Sequence, residues 1–426
     1  MASLTREVSS SRWIERRFTS HTREIPFIPP MTASDKITYL DNNATTAIDP
    51  AVLEAMRPFL EKYFANPSSG YQFAAQVRDA IEQAREQVAA LLDCEPGEIV
   101  FTSCGTESNN TAFHSALETR PECKHVVTTA VEHSAVRKPA QELERHGYEV
   151  TVIGVDKSGR LSLRAVADAI RPDTALVSVM WANNETGVIF PIEEIAEIAR
   201  DKNVPLHTDA VQAAGKIPIN LREVQLQSLS ISGHKLHAPK GVGALYVNRR
   251  SLYVNRRSRF HPLLLGGSHE NNRRAGTENT ASIVALGKAA EVALSKLPEE
   301  QTQVRNLRDC FEKALLEKIP NARVNGAGAP RLPNTSSIMF DEIESEAALM
   351  MLDQENICCS AGSACRTGSL QASHVLSAMG LVNEQARGSL RFSFGRFNDD
   401  KDIDRAIEIV PRVIGKLRAL SPAAVR

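Results

Sequence analysis

The 426-residue sequence has no uninterrupted apolar run long enough to cross a bilayer, which excludes a helical membrane span. Nor does it carry a surplus of either charge. Lys and Arg number 50 against 51 for Asp and Glu, a net charge of −1, so no global field draws a polyanion and nucleic acid is not an expected partner. Cysteine is scarce and unpaired. Seven residues without a CxxC spacing exclude a zinc knuckle or a secreted disulfide framework, and they fit a reducing compartment in which one thiol carries chemistry. What is present, 42% hydrophobic and 24% charged residues, is ordinary for a globular protein and excludes collagen-like and disordered chains. The length exceeds what one core supports, so two domains are expected.

The first 36 residues differ in texture, with Ser9 to Ser11, five arginines, and then Pro26, Pro29 and Pro30. Arg12 to Phe18 could form a basic amphipathic turn, as in a mitochondrial transit peptide, but Glu7, Glu15 and Glu24 are more acid than such peptides carry. A disordered leader, or a chain that truly starts at Met31, stays open beside it. A cytoplasmic location is expected, or a mitochondrial one if the leader is a transit peptide.

From Leu40 onward, strand and helix patterns alternate. Asp49 and Pro50 read as an N-cap and first helical residue, followed by Val52, Leu53, Met56, Phe59 and Leu60 at helical spacing. Ala80, Ile81, Ala84, Val88, Leu91 and Leu92 mark a second helix. Short apolar runs then fall at 99–101, 126–127, 148–154, 175–181, 205–207, 229–231 and 242–247, with a helix over 191–202 among them. This order predicts an α/β fold with a mostly parallel sheet and ligands at the strands' carboxyl ends. A polar helix over 299–318 opens a smaller α+β domain, with strands near 336–340 and 387–394 and a last helix over 399–420. The expected division is a leader 1–36, a large domain 37–298 and a small domain 299–426, with the first residues of the large domain able to pack on the small one. A tandem heptapeptide, LYVNRRS, spans 245–258; two copies cannot form a solenoid, so a surface-loop duplication or a sequence error is expected.

Three segments carry candidate chemistry. FTSCGTES (101–108) runs a strand into Gly105-Thr106 and a helix start, where backbone N–H groups beside a hydroxyl suit a phosphate. It contains neither GxGxxG nor a Walker lysine, so a nucleotide is not specifically indicated. Asp209 ends an apolar strand, either as a helix N-cap or as a carboxylate that keeps a heterocyclic nitrogen protonated. Lys235 follows another strand, among small residues and Leu236 that could desolvate its amine and favour covalent capture of a carbonyl.

In order, these segments resemble fold-type-I pyridoxal-phosphate enzymes, and most closely cysteine desulfurases of the NifS/IscS type. The resemblance spans about 38–420 and rests on YLDNNATT (39–46), NPSSGY (66–71), FTSCGTES (101–108), VEHSAV (131–136) and WANNETG (181–187). It continues through HTDAVQAAGK (207–216), SGHKLHAPKG (232–241), RRAGTENT (273–280), AGSACRTGS (361–369) and LRFSFGR (390–396). It implies a large domain with a mostly parallel sheet plus a smaller α+β domain, and pyridoxal 5'-phosphate carried covalently on Lys235. By the same resemblance Asp209 pairs with the ring nitrogen, Gln212 contacts the ring hydroxyl, and His133 stacks on the ring and helps move protons. Gly105, Thr106, Ser232 and His234 hold the phosphate, while Asn184 and Arg391 orient the substrate carboxylate. Thr277 reaches the phosphate of a neighbouring subunit, which implies a homodimer. No metal is implied.

Cys365 is the sharpest site. Its flanks, Cys359 to Ser369, are too rich in Ser and Gly for a core element and point to an exposed loop, and Arg366 favours the thiolate. The resemblance implies that Cys365 attacks the sulfur of L-cysteine, giving L-alanine and a persulfide that passes to an acceptor or iron–sulfur scaffold protein. Several features depart from the family pattern: Arg366, the Cys358-Cys359 pair, the SHENN loop (268–272) and a Lys235–Thr277 connection lengthened by one heptad. Cys358 and Cys359 read either as packed thiols or as a trap for the persulfide. A class-V aminotransferase, a selenocysteine lyase and a catalytically silent assembly partner are the rival readings. Cys365 argues against the aminotransferase, which needs no thiol, and the intact set of Lys235, Asp209, His133 and Cys365 argues against the silent partner.

Overall fold

In the computed structural model, residues 37–249, 260–361 and 372–420 are described. The leader, the second heptapeptide copy and Cys365 lie outside them. The strands are β1 (Thr38–Tyr39), β2 (Ile99–Thr102), β3 (His125–Thr129), β4 (Glu149–Ile153), β5 (Thr174–Ser178), β6 (Leu206–Asp209), β7 (Ser228–Ser232), β8 (Gly243–Val247), β9 (Arg323–Val324), β10 (Thr335–Met339), β11 (Ile357–Cys358) and β12 (Ser389–Ser393). The seven apolar runs between 99 and 247 form one sheet in the order β2-β8-β7-β6-β5-β3-β4. Only β8 runs antiparallel to its neighbours. β3, β5, β6 and β7 are buried along their whole length, which explains why they read as continuous apolar runs rather than alternating ones. The expected α/β architecture is therefore observed.

A smaller antiparallel sheet, β12-β10-β9, and a two-stranded parallel pair, β1-β11, lie outside the large one. They share a second core in which Phe311 meets Phe392 and Phe394 edge-on at 4.8 and 5.4 Å. Leu40 belongs to this core, and from there the chain crosses to the large sheet, where Thr46 N donates to His234 O. In the other direction, Val375, Leu376, Met379 and Ala386 pack into the core of the large sheet.

Two expectations need adjustment. The helix expected over 299–318 is the second half of a longer run: Thr280–Glu299 continues through a π-turn, Glu300–Val304, into Arg305–Lys318. The expected boundary at 298/299 falls inside that run. The helix Pro50–Glu61 forms with Asp49 as its cap, but it buries Val52 and Met56 and leaves Leu53 and Leu60 exposed.

The SHENN segment acquires a reason. Glu270 is buried and receives both terminal nitrogens of Arg85, at 2.7 and 2.8 Å, and the N–H of Phe101 in β2. Glu270, Asn271 and Asn272 all take positive φ, a conformation that short polar residues such as asparagine tolerate best. Glu270→Ala leaves the buried Arg85 with only the exposed Glu82 as counter-ion. The variant is expected to lose about 3 kcal/mol, read as a lower urea midpoint with an unchanged denaturant slope.

Candidate active site

The site gathers at the carboxyl ends of β2, β6 and β7. After β2 the chain turns at Cys104 into the helix Gly105–Thr119, whose first N–H groups have no intrahelical acceptor. Gly105 is required there, since a Cβ would lie 2.7 Å from Val211 Cγ2. Gly243 is equally tight, its Cβ position lying 2.8 Å from the Cys104 carbonyl carbon. Thr106 is exposed at this helix start, and the buried Ser232 adjoins it at the end of β7, 3.4 Å from the Gly105 Cβ position. Helix-start N–H groups without intrahelical acceptors, beside two hydroxyl residues, are the chemistry that anion binding uses.

Asp209 ends β6 and is 5% exposed. Its Oδ2 accepts from Asn109 Nδ2 at 2.6 Å and its Oδ1 from the Val211 N–H at 3.0 Å. Both oxygens are thereby oriented; Oδ1 caps a turn over 211–216 and not the helix that one of the two sequence readings expected. Two residues earlier, His207 is buried between the hydroxyls of Ser178 and Ser230, at 2.9 and 3.0 Å. Burial pushes its imidazole down to about 3, so it stays neutral and leaves the Asp209 charge uncancelled.

Lys235 closes the short turn after β7 and donates to two main-chain carbonyls, Asn43 O at 2.5 Å and Ala44 O at 2.6 Å. Gln212 Nε2 reaches the same Asn43 carbonyl at 3.0 Å, and His234 Nδ1 meets the Thr45 hydroxyl at 3.2 Å. Burial, then the neighbouring Lys235 and Lys240, pushes His234 down to about 4. Asn43 Nδ2 donates to Asn184 O at 3.2 Å, and the same carbonyl accepts from Arg391 Nη1 at 2.9 Å. Arg391 Nη2 is ion-paired to Asp41 Oδ1 at 2.7 Å. The strap Asp41–Thr46 thus ties Lys235, Gln212, His234, Asn184 and Arg391 together.

His133 caps the helix Ser134–Arg145. Its Nδ1 accepts from the Ala135 N–H at 3.1 Å, so the neutral ring carries its proton on Nε2. The preceding Glu132 is fully buried, accepts from Thr129 Oγ1 and Met180 N, and is pushed up to about 8 by burial. Glu185, also fully buried, is pushed upward by burial and accepts from Ser373 Oγ at 2.5 Å. Thr277 is exposed and is not brought to this cluster. Cys358 and Cys359 sit beside Asp41; burial and then nearby carboxylates push both thiols up, which keeps them protonated and poorly nucleophilic.

The aminotransferase class-V family profile matches residues 38–406. A cysteine desulfurase 2 of Trichormus variabilis is 50% identical over 386 residues, covering 91% of this chain and 95% of the relative. The cysteine desulfurase NifS of Azotobacter vinelandii is 51% identical over 385 residues, covering 90% and 94%. The chain belongs to the cysteine desulfurase family. Among solved structures, a NifS-like protein superposes with a TM-score of 0.82 at 34% identity, covering 89% of this chain and all of that one. A structure of SspA in complex with cysteine gives 0.74 at 36% identity, covering 85% and 99%.

In this desulfurase-family chain the residues fit pyridoxal phosphate by their chemistry. A helix start beside hydroxyls suits the phosphate, the oriented carboxylate of Asp209 suits a ring nitrogen, and the amine of Lys235 follows Ser232 by three residues at the end of the neighbouring strand β7. Sequence reasoning missed the strap as a source of site residues. Its signal was present in YLDNNATT, where Asp41, Asn42 and Asn43 follow the buried Leu40 and two of the three are themselves buried.

The Glu132 carboxyl gives a signed pH test. A folded value near 8 against about 4.5 unfolded means its contribution is present at low pH and lost as pH rises toward 8. Glu132→Gln removes this titration. Between about pH 6 and about pH 8 the cofactor-free wild-type protein should lose about 2 kcal/mol relative to the variant, read from urea midpoints.

Proposed function

We propose that the chain is a pyridoxal-phosphate-dependent cysteine desulfurase that converts L-cysteine to L-alanine and leaves the sulfur on Cys365. The observation that carries the reading is the reach of one residue. Asn43 accepts from Lys235 and Gln212 through its carbonyl and donates through its amide to Asn184 O, which also holds Arg391. An amine for covalent chemistry, a ring contact and a carboxylate fork therefore share one small volume. L-cysteine, a small zwitterion, is the matching size of substrate.

In this reading Gly105, Thr106, Ser232 and His234 hold the cofactor phosphate, with a neutral imidazole serving by hydrogen bonding rather than charge. Asp209, fixed by Asn109 and Val211, would pair with the ring nitrogen, Gln212 would contact the ring hydroxyl, and His133 would stack on the ring. When bound, pyridoxal phosphate supplies the electron sink for the substrate α-carbon. Arg391 and Asn184 orient the substrate carboxylate. Lys235 Nζ removes the α-proton, and His133, with its proton on Nε2, assists proton movement. The Cys365 thiolate forms an S–S bond to the substrate sulfur as the substrate C–S bond breaks, and a proton completes the alanine methyl group. The sum is L-cysteine plus a thiol giving L-alanine plus a persulfide, with no outside oxidant. The persulfide then serves an acceptor or scaffold protein for iron–sulfur clusters or related cofactors.

A homodimer completes this reading. Tyr63, Phe64 and Phe73 form an exposed apolar patch, with Phe64 77% exposed and its ring 5.4 Å from that of Phe73. A second copy would cover that patch, and the exposed Thr277 would reach across to the partner's phosphate.

Cys365→Ser should lower alanine formation from L-cysteine by on the order of a hundredfold while the bound cofactor keeps its visible absorbance. Undiminished turnover would remove Cys365 from the mechanism. Phe64→Arg should shift the protein toward monomer in sedimentation velocity and speed its loss of cofactor; an unchanged sedimentation coefficient would place the dimer contact elsewhere.

A further inference from the structure

The fork proposed for the substrate carboxylate already holds a carboxylate. Arg391 is 2% exposed, and two of its three guanidinium nitrogens are committed, Nη2 to Asp41 Oδ1 at 2.7 Å and Nη1 to Asn184 O at 2.9 Å. Its Nε is buried and has no hydrogen-bond partner. A guanidinium is planar and rigid, so fixing two nitrogens fixes the plane and the direction of the remaining edge.

The ion pair is not an accident of two flexible side chains, because both main chains are pinned. Arg391 exchanges backbone bonds with Ser360, at 2.7 and 3.0 Å. Asp41 bridges Ser393, with Ser393 N donating to Leu40 O at 2.7 Å and Asn42 N donating to Ser393 O at 3.1 Å. The Tyr39 hydroxyl donates to the carbonyls of Asp41 and Thr45, at 3.1 and 2.9 Å, and holds the turn on which Asp41 stands.

We propose that Asp41 is a positioning residue for substrate: it acts through Arg391, fixing the plane in which the guanidinium N–H groups meet the incoming carboxylate. The proposal rests on the reading of Arg391 as the carboxylate-binding group. Asp41 neutralises the buried guanidinium, so binding depends on directed hydrogen bonds from Arg391 and the Asn184 amide rather than on bare charge. Without Asp41 the guanidinium keeps one fixed nitrogen and can swing about the Asn184 contact. The substrate carboxylate then meets a misaligned fork, and binding suffers more than the chemical step.

The test uses the holoenzyme. Asp41→Asn, close to isosteric, should raise KM for L-cysteine about tenfold while kcat changes less than about threefold. The Kd of L-alanine, read from the cofactor absorbance, should rise by a similar factor. Asp41→Glu restores the charge one methylene further out and should recover part of the loss; it also carries the test if the asparagine variant does not fold. Arg391→Gln separates the two readings. If KM is unchanged in Arg391→Gln, the carboxylate role of Arg391 fails, and Asp41 fails with it. If KM rises in Arg391→Gln but not in Asp41→Asn, the Asp41 proposal alone is overturned. A fall in KM in Asp41→Asn overturns it too, because Asp41 would then be a competitor of the substrate.

Discussion

The arrangement depends on one buried asparagine whose every polar group is used. Asn43 is 2% exposed; its N–H donates to Ser393 Oγ and its carbonyl receives Lys235 and Gln212. Its amide nitrogen donates to Thr335 Oγ1 and Asn184 O, and its amide oxygen accepts from Asn334. These partners come from both sheets. A buried polar group with unmet bonds is costly, so a fully met set resists any shift of one sheet against the other. The proposed fork on β12 and the lysine after β7 keep their separation because the same side chain and carbonyl measure it from both sides.

How much of this was legible in the sequence depended on whether the signal was local. The large sheet could be read because strands buried on both faces leave continuous apolar runs, and Asp49-Pro50 could be read because a cap and a proline at the first turn act on the next few residues alone. The run from Thr280 to Lys318 reads in sequence as a helix starting at 299 for a physical reason. Pro298 and the acids Glu299 and Glu300 look like a helix boundary, but the chain widens into a π-turn and continues, with the Thr302 hydroxyl taking up the Pro298 carbonyl at 2.8 Å. The outward-facing Leu53 and Leu60 were equally opaque, since helical spacing tells that a face is apolar and not what covers it. Asp41 and Asn43 carry no local signal of their roles, because their partners lie at sequence separations of 141 to 350 residues.

Electrostatically the interior is quieter than its residue list suggests. Three histidines that flank the candidate site are kept neutral by burial, His207 near 3 and His234 and His237 near 4. Burial also favours the protonated forms of Glu132 and Glu185. A low-dielectric region with few uncompensated charges makes each remaining one count for more, and Asp209 is among them, oriented from two sides by neutral donors. That is the environment in which a carboxylate can hold a ring nitrogen protonated.

The same burial acts on sulfur. A persulfide route needs one reactive thiol and no competitors within reach, and the thiols of Cys94, Cys123, Cys358 and Cys359 are all pushed up by desolvation. Held as thiols, they are weak nucleophiles toward a persulfide. Cys358 and Cys359 matter most, because they stand seven and six residues before Cys365 in the sequence and beside Asp41 in space. Of the two sequence readings for that pair, packing is the one their surroundings favour: Cys358 lies in a strand paired to Tyr39, and Cys359 packs on the second core. Burial thus quiets four of the six described thiols, while Cys104 is half-buried and Cys310 exposed.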